Sequence, residues 1–379
     1  MNWIYFNEEH IMLRNMVREF AKNEIKPLAQ DIDKGIFPKE SIDKMAALGL
    51  MGIPWSDKYG GTNMDTLSLV IAIEEIGKVC ASTAATMMAH TSLGTAPIVA
   101  FGTEKQKDKY LPDLVTGRKI GAFGLTEPNA GSDAGNTQTT AVLDGENFYV
   151  NGQKSFCTNA GVANTIIFTA RLVRDGKDEG ISAFIVEKDT KGLSVGKPEK
   201  KMGWRGSDTR SIFFENMIIP KDSILGSPSK GFKQFLKTLV GGRITIGALS
   251  LGTAQGAYEL ALKYSKERNA FGKKIHNFQA ISFKLADMAT SIEASKHLVY
   301  HAAWLKDQNR SVTKEAAMAK LYASETAMRV CTEAIQIHGG YGYIKEYDVE
   351  RFFRDAKILE IGEGTSEIQR IIISRNILK

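Results

Sequence analysis

Cysteine is scarce, with Cys80, Cys157 and Cys331 the three in 379 residues. An odd number, with neither a metal-type nor a redox-pair spacing, argues against a disulfide framework and against zinc, and points to a reducing compartment. No metal site is expected. Basic runs of five or more residues are missing, and the formal net charge is only +6. The cationic excess therefore suits small anionic ligands before nucleic acid. The chain also lacks a GxGxxG, an internal repeat and any low-complexity segment. Its first twenty residues carry Glu8, Glu9, Arg14, Arg18 and Glu19 without an uninterrupted apolar block, so a secreted protein is not expected. One uncharged stretch, Val79 to Thr103, has the length to cross a bilayer. Ser82, Thr83, Thr86, His90, Thr91, Ser92 and Thr95 crowd it, and Gly94 and Pro97 interrupt it. It reads as a buried helix lining an internal cavity rather than a membrane span.

What is present is ordinary for a packed protein: 43% apolar, 24% charged and 9% aromatic residues. The length predicts two or three domains. From Asn7, placed to cap a helix, Ile11, Val17, Phe20, Ala21 and Ile25 recur at helical spacing, and helical patterning runs on to about residue 120. The texture then changes. Phe148 to Val150, Thr165 to Arg171, Ile181 to Glu187 and Ser211 to Phe214 are short β-branched and aromatic runs, and Asp144-Gly145 and Asn151-Gly152 read as hairpin turns. An antiparallel β domain is expected. After Pro220 helices return, with Ile281, Leu285, Met288 and Ile292 as one stripe and a helix ending at Ile337 or His338 before Gly339-Gly340. Gly247, Gly252 and Gly256 would let a neighbouring helix, or a second subunit, approach closely. The order α, β, α gives an α+β class with domains over 1–120, 121–225 and 226–379.

Four segments could carry chemistry. Leu125 to Gly135 (LTEPNAGSDAG) combines irregular backbone with free hydroxyls and N–H groups that can cradle an anion, although a long turn between strands fits as well. Ser155 to Gly161 (SFCTNAG) could present a flat aromatic surface and one hydroxyl to a planar ring, or simply end a strand. Arg268-Asn269-Ala270-Phe271-Gly272 could hold a diphosphate or an adenine face, or could be a solvated turn. In Glu360 to Arg370 (EIGEGTSEIQR), Glu363 sits between two glycines, so the main chain can bend sharply while the carboxylate projects; a helix-capping glutamate is the alternative.

Taken together, LTEPNAGSD (125–133), NGQK (151–154), RNAFG (268–272), QIHGG (336–340), RDAK (354–357) and GEGTSEIQR (362–370) resemble the acyl-CoA dehydrogenase family from about residue 5 to the end. The resemblance implies an N-terminal all-α domain, a middle antiparallel β-barrel or sandwich and a C-terminal four-helix bundle. It also implies FAD, with the flavin against Phe123, Leu125, Thr126, Ser132, Phe156, Cys157 and Thr158, the Thr158 hydroxyl near N5. Arg268, Phe271, Gln279, Gln336, Gly339 and Gly340 would hold the diphosphate and adenosine half from a second subunit, and Thr365 and Glu367 would touch FAD as well. A dimer is then the minimum and a dimer of dimers the usual state. CoA contacts are implied at Ser132, Val240, Arg243 and Gly364.

The reaction implied is oxidation of a short- or medium-chain acyl-CoA to its trans-2-enoyl-CoA, a step of fatty-acid β-oxidation, with electrons passed to an electron-transferring flavoprotein. A proton α to a thioester is weakly acidic, so its removal needs a carboxylate whose pKa burial has raised and donors for the oxyanion, while the β-hydride leaves to flavin N5. Glu363 is the expected base. Relatives acting on branched chains carry it just before the residue matching Arg243, which here is Gly242. This chain departs from the common pattern at Gly362, Phe156 and Val240, where Tyr, Trp and Asp are frequent. No arginine lies in Val79 to Thr103, which argues against a carboxyl-bearing acyl group. An O₂-using acyl-CoA oxidase and a DNA-docking flavin-binding relative are the alternatives; the former are generally longer, and the latter would show a basic C-terminal extension and no Glu363. The expected compartment is the bacterial cytoplasm, or the mitochondrial matrix for a processed eukaryotic chain.

Overall fold

The computed structural model describes residues 4–378. Seven α-helices come first: α1 (Glu8–Phe20), α2 (Ala29–Asp33), α3 (Lys39–Ala47), α4 (Thr66–Gly77), α5 (Ala81–Met88), α6 (Ala96–Phe101) and α7 (Glu104–Val115). Asn7 caps α1, accepting from the His10 N–H at 2.9 Å while the His10 ring accepts from the Asn7 N–H. The uncharged stretch is buried, but it is not one helix. A π-helical segment over Ala89–Thr95 separates α5 from α6, and Pro97 sits in the first turn of α6, where its missing N–H leaves no hydrogen bond unmade. Among the described residues no helix is long and apolar enough to cross a membrane.

The strands are β1 (Gly121–Gly124), β2 (Thr140–Asp144), β3 (Asn147–Thr158), β4 (Thr165–Arg174), β5 (Lys177–Glu187), β6 (Leu193–Val195), β7 (Thr209–Pro220) and β8 (Ile224–Leu225). They form one sheet in the order β6-β7-β3-β2-β4-β5-β8, with β1 beside β4. Most ladders are antiparallel, as expected, but β1 and β2 both run parallel to β4. β1 pairs with Thr165 to Phe168, and β2 with Arg171 to Arg174, so the two lie end to end along one edge of β4. The 125–139 loop is therefore an excursion from what is almost a single strand position. Asp144-Gly145 is the β2–β3 turn, with Gly145 at φ +57°. Asn151-Gly152 is not a turn: it lies inside β3, where the register slips against β7 and Gly152 takes φ +140° as a bulge. Phe148, Phe168, Phe184 and Phe214 of the patterned runs lie in the core, with Phe168 stacked on Phe214 at 4.4 Å.

Helices then resume with α8 (Gly231–Glu267), the small ribbon β9 (Asn269–Ala270) and β10 (Lys273–Lys274), α9 (Gln279–Asp307), α10 (Thr313–His338), α11 (Val349–Lys357) and α12 (Ser366–Ile377). A Cβ on Gly252 or Gly256 would overlap the backbone carbonyl of Glu74 or Lys78. Gly247 faces Val299 and Ala319. These glycines seat α4, α9 and α10 of the same chain against α8, so the close approach they permit is intramolecular. The arrangement brings the turn between α11 and α12 onto the middle of α8, beside the π-helical segment.

Candidate active site

Glu363 lies in that turn with φ +56°, followed by Gly364 at φ +90°. A left-handed glutamate costs roughly 1 kcal/mol, so the surrounding structure must hold it there. Its carboxylate is pressed against α8: a Cβ on Gly242 would stand 2.6 Å from Oε2 and 3.3 Å from Leu93 of the π-helical segment. The residue as a whole is partly exposed, but Oε2 is enclosed and has no hydrogen-bond partner among the described residues. Burial pushes the carboxyl up to about 7, with Arg243 and Lys320 partly opposing the rise. Both cations are buried, Arg243 at 4% exposure with its Nε unpartnered. Ser366 Oγ and Gln369 Oε1 are also buried without partners. Four buried polar atoms, on Glu363 and on residues of α8 and α12, thus lack a protein partner, which is what a polar ligand would supply.

The π-helical segment is anchored to α8 and to β1. Ser92 Oγ donates to Thr245 Oγ1 at 3.2 Å, tying it to α8. His90 donates from Nε2 to the Leu114 carbonyl at 2.9 Å and accepts the Gly121 N–H on Nδ1 at 3.0 Å. Burial holds that imidazole neutral, with its pKa lowered to about 4. It is a satisfied structural histidine that fixes β1.

The 125–133 loop is fixed from within the sheet. Lys154 and Glu127 form a fully buried ion pair at 2.6 Å, and Lys154 Nζ also donates to Thr169 Oγ1 and the Leu125 carbonyl. Glu127 accepts the Gln138 and Thr139 N–H groups. Burial would raise its pKa, but Lys154 and these N–H groups hold it below the ordinary range. The motifs LTEPNAGSD and NGQK are thus joined by one ion pair. Beyond them, Phe156 stands 68% exposed at φ +55°, with Thr158 half-buried at the end of β3. Ser132 is exposed, while Thr126 accepts the Ser155 N–H on its carbonyl and keeps its hydroxyl free. Two of the expected contacts are modified. Cys157 buries its side chain in the sheet core, and Phe123 stacks on Phe235 of α8 at 4.1 Å, leaving mainly backbone from each for a ligand.

A cavity of about 520 Å³ is lined by Tyr264, Arg268, Gln336, His338, Gly339 and Gly340 among others, and by none of the residues described above for Glu363 or the 125–133 loop. The Arg268 guanidinium lies over the Tyr341 ring, 5.6 Å from its centre, and Gly339 takes φ +60° with open space where a Cβ would be. This suits an anionic, partly flat group. Phe271 is 95% exposed and Gln279 is exposed at the start of α9, both outside the cavity lining. Thr365 caps α12, and Glu367 is exposed in its first turn. Val240 and Arg243 lie one helical turn apart on α8, and Gly364 follows Glu363. Sequence reasoning missed Lys320, Gln369, Lys154 and Glu127 as site-shaping residues; three of these stand within quoted motifs, which was the available signal.

Residues 7–118, 122–217 and 229–378 match the acyl-CoA dehydrogenase N-terminal, middle and C-terminal domains respectively. The chain is 55% identical to a probable acyl-CoA dehydrogenase of Bacillus subtilis, covering 98% of each chain. It is 51% identical to a short-chain specific acyl-CoA dehydrogenase of Clostridium acetobutylicum, again over 98% of each. The subunit CarC of a caffeyl-CoA reductase–Etf complex of Acetobacterium woodii is 46% identical, over 99% of this chain and 100% of that one. Among solved structures, butyryl-CoA dehydrogenase from Megasphaera elsdenii matches with TM-score 0.96 and 44% identity over the whole of both chains. An acyl-CoA dehydrogenase complexed with FAD from Bacillus anthracis matches with TM-score 0.94 and 35% identity, over 98% of this chain and 67% of that one.

Proposed function

The chain belongs to the acyl-CoA dehydrogenase family of FAD-dependent oxidoreductases, and from that premise we propose that it interconverts a short-chain acyl-CoA and its trans-2-enoyl-CoA with Glu363 as the base. The observation that carries this reading is the unpartnered Oε2 of Glu363, enclosed against Gly242 with its pKa near 7. Such a carboxylate is basic enough at neutral pH to take a proton from carbon 2 of a thioester. Bound FAD supplies the acceptor for the hydride that leaves carbon 3. Arg243 at the pocket wall offers a buried cation with a free N–H toward a CoA-borne acceptor. The main-chain N–H of Glu363, set by the left-handed turn, is positioned by the same residue as the base and can donate to the thioester oxygen as charge develops there. Ser132, Val240 and Gly364 complete the CoA contacts in this reading.

The residues fit FAD in two places. Leu125, Thr126, Ser132, Phe156 and Thr158, with the backbone of Phe123 and Cys157, receive the ring system. Arg268, Gln336, Gly339 and Gly340 receive the diphosphate and adenosine half, with Phe271, Gln279, Thr365 and Glu367 at its margins. Because no residue of the first set lines the cavity around Arg268, we assign that cavity to the FAD of another copy of the chain, which makes a dimer the smallest complete unit. The short-chain specific and butyryl-CoA relatives support a short acyl group. The Etf-complexed relative supports an electron-transferring flavoprotein as the redox partner. The caffeyl-CoA reductase relative raises the reverse direction, and the geometry serves both: a carboxyl titrating near neutrality can return a proton to carbon 2 as well as remove one.

Anaerobic titration of the purified holoenzyme with acyl-CoAs of graded length tests the reading. Flavin absorbance should be lost most steeply with butyryl-CoA; no loss with any acyl-CoA would sink it. Rapid O₂ consumption by the reduced enzyme would favour the oxidase reading instead.

A further inference from the structure

Two fully buried polar side chains spend their donors on the turn that carries Glu363. Gln369, on the first turns of α12, donates from Nε2 to the Glu363 carbonyl at 3.1 Å and to the Gly364 carbonyl at 2.8 Å. Lys320, in the middle of α10, donates from Nζ to the same Gly364 carbonyl at 2.9 Å. Both residues are wholly inaccessible. A lysine is almost never fully buried without a reason, because its charge must be desolvated. Here its hydrogen bond goes to a carbonyl, and the charges facing it are Glu363, Glu360, Arg243 and Glu325. Glu360 is paired with Lys357 and Glu325 with Arg370, so Glu363 is the acid left to balance it. The carbonyls gripped belong to Glu363 and Gly364, both at positive φ; a glycine adopts that conformation freely, but in a glutamate it persists only where the surroundings over-determine it.

We propose that Lys320 and Gln369 form a clamp from two helices on the Glu363 and Gly364 carbonyls, which holds the base in its left-handed conformation and directs its carboxylate into the pocket. Both are positioning residues that act through Glu363. The inference rests on the reading of Glu363 as the base. If the clamp were released, residues 362–365 could relax toward right-handed backbone and the carboxylate would leave its place over Gly242. A misplacement of about 1 Å at a reacting group costs on the order of a hundredfold in rate. Lys320 has a second effect that Gln369 lacks. Its charge opposes the rise in the Glu363 pKa, alongside Arg243.

The test uses the holoenzymes of Gln369→Leu, Lys320→Met, Lys320→Arg and Glu363→Gln, each checked for flavin content and melting temperature. Butyryl-CoA affinity, the saturating rate of anaerobic flavin bleaching against pH, and amide exchange of the 362–366 segment are then compared. Gln369→Leu and Lys320→Met are expected to bind butyryl-CoA within about threefold of the parent yet bleach at least about tenfold more slowly, with faster exchange in the segment. The ascending limb of the pH profile should move to higher pH in Lys320→Met, stay in place in Gln369→Leu, and return in Lys320→Arg together with most of the rate. Rates within about twofold of the parent in both neutral variants, or losses that only track flavin content, overturn the clamp. Should Lys320→Met fail to fold, Gln369→Leu and Lys320→Arg decide the matter by the same criteria. A Glu363→Gln enzyme that still bleached would instead overturn the assignment of the base, which separates the two failures.

Discussion

At the scale of single residues, the proposed chemistry turns on one carboxyl, that of Glu363, whose pKa has been moved from the acid range to about 7 by burial. The base works as the carboxylate, so the sign is fixed: kcat/KM for dehydrogenation should climb with pH through about 7 and level off above it. A flat profile between pH about 5.5 and about 8 would show that another group is the base. Glu363→Gln should retain FAD and bind acyl-CoA but leave the flavin unbleached, as seen by absorbance after anaerobic mixing. Gly242 is the other decisive residue. Its missing side chain is the space that Oε2 occupies, since a Cβ there would lie 2.6 Å away. Gly242→Ala should therefore displace the carboxylate and slow bleaching by at least about tenfold, with flavin content unchanged. The resemblance named Gly242 only as an alternative position for the base; that Oε2 of Glu363 fills its empty side-chain space depends on a contact between residues far apart in the chain. The glycines flanking Glu363 were readable, and they singled out the carboxylate that the fold presses against Gly242.

At the scale of elements, the 125–139 loop owes its shape to the way β1 and β2 share one edge of β4. The chain leaves the sheet after Gly124 and rejoins it at Thr140, and the Glu127–Lys154 pair fastens the excursion to β3. Lys154→Met would leave Glu127 buried without its cation and the loop without its anchor. We expect a loss of about 3–5 kcal/mol, measurable by thermal or urea unfolding, together with weaker FAD retention. An unchanged melting temperature and full flavin content would show that the loop is held by its backbone alone. The strand runs and the Asp144-Gly145 turn were legible because β-branched and aromatic clustering and a primed-turn dipeptide are local signals. The parallel direction of β1 and β2, and the bulge at Gly152, were not. Strand direction depends on which partner a strand meets, and Asn-Gly suits a bulge as well as a hairpin.

At the scale of the whole molecule, the two surfaces proposed to receive FAD lie on separate parts of one chain, so the proposed active site needs a second copy. Arg268→Ala should purify with depleted flavin. Co-expressing Arg268→Ala chains with Glu363→Gln chains gives a sharper test. In a mixed dimer, one site would combine the intact Glu363 of the first chain with the intact Arg268 of the second, so activity should reappear when neither variant alone has it. No recovery in verified mixed dimers would place Arg268 in the same subunit's site.

The amino-acid order by itself determined the α, β, α succession, the helix stripes, the scarcity of thiols and the glycine-flanked carboxylate, because each is written within a few neighbouring residues or in a short motif. Only the tertiary structure decided that Gly252 and Gly256 seat α4 of the same chain, that Gly242 makes room for Glu363, and that Lys320 and Gln369 reach one turn from two helices. Those facts depend on which distant surfaces meet. Packing alone sets that, and it also sets the desolvation that raises the Glu363 carboxyl to about 7.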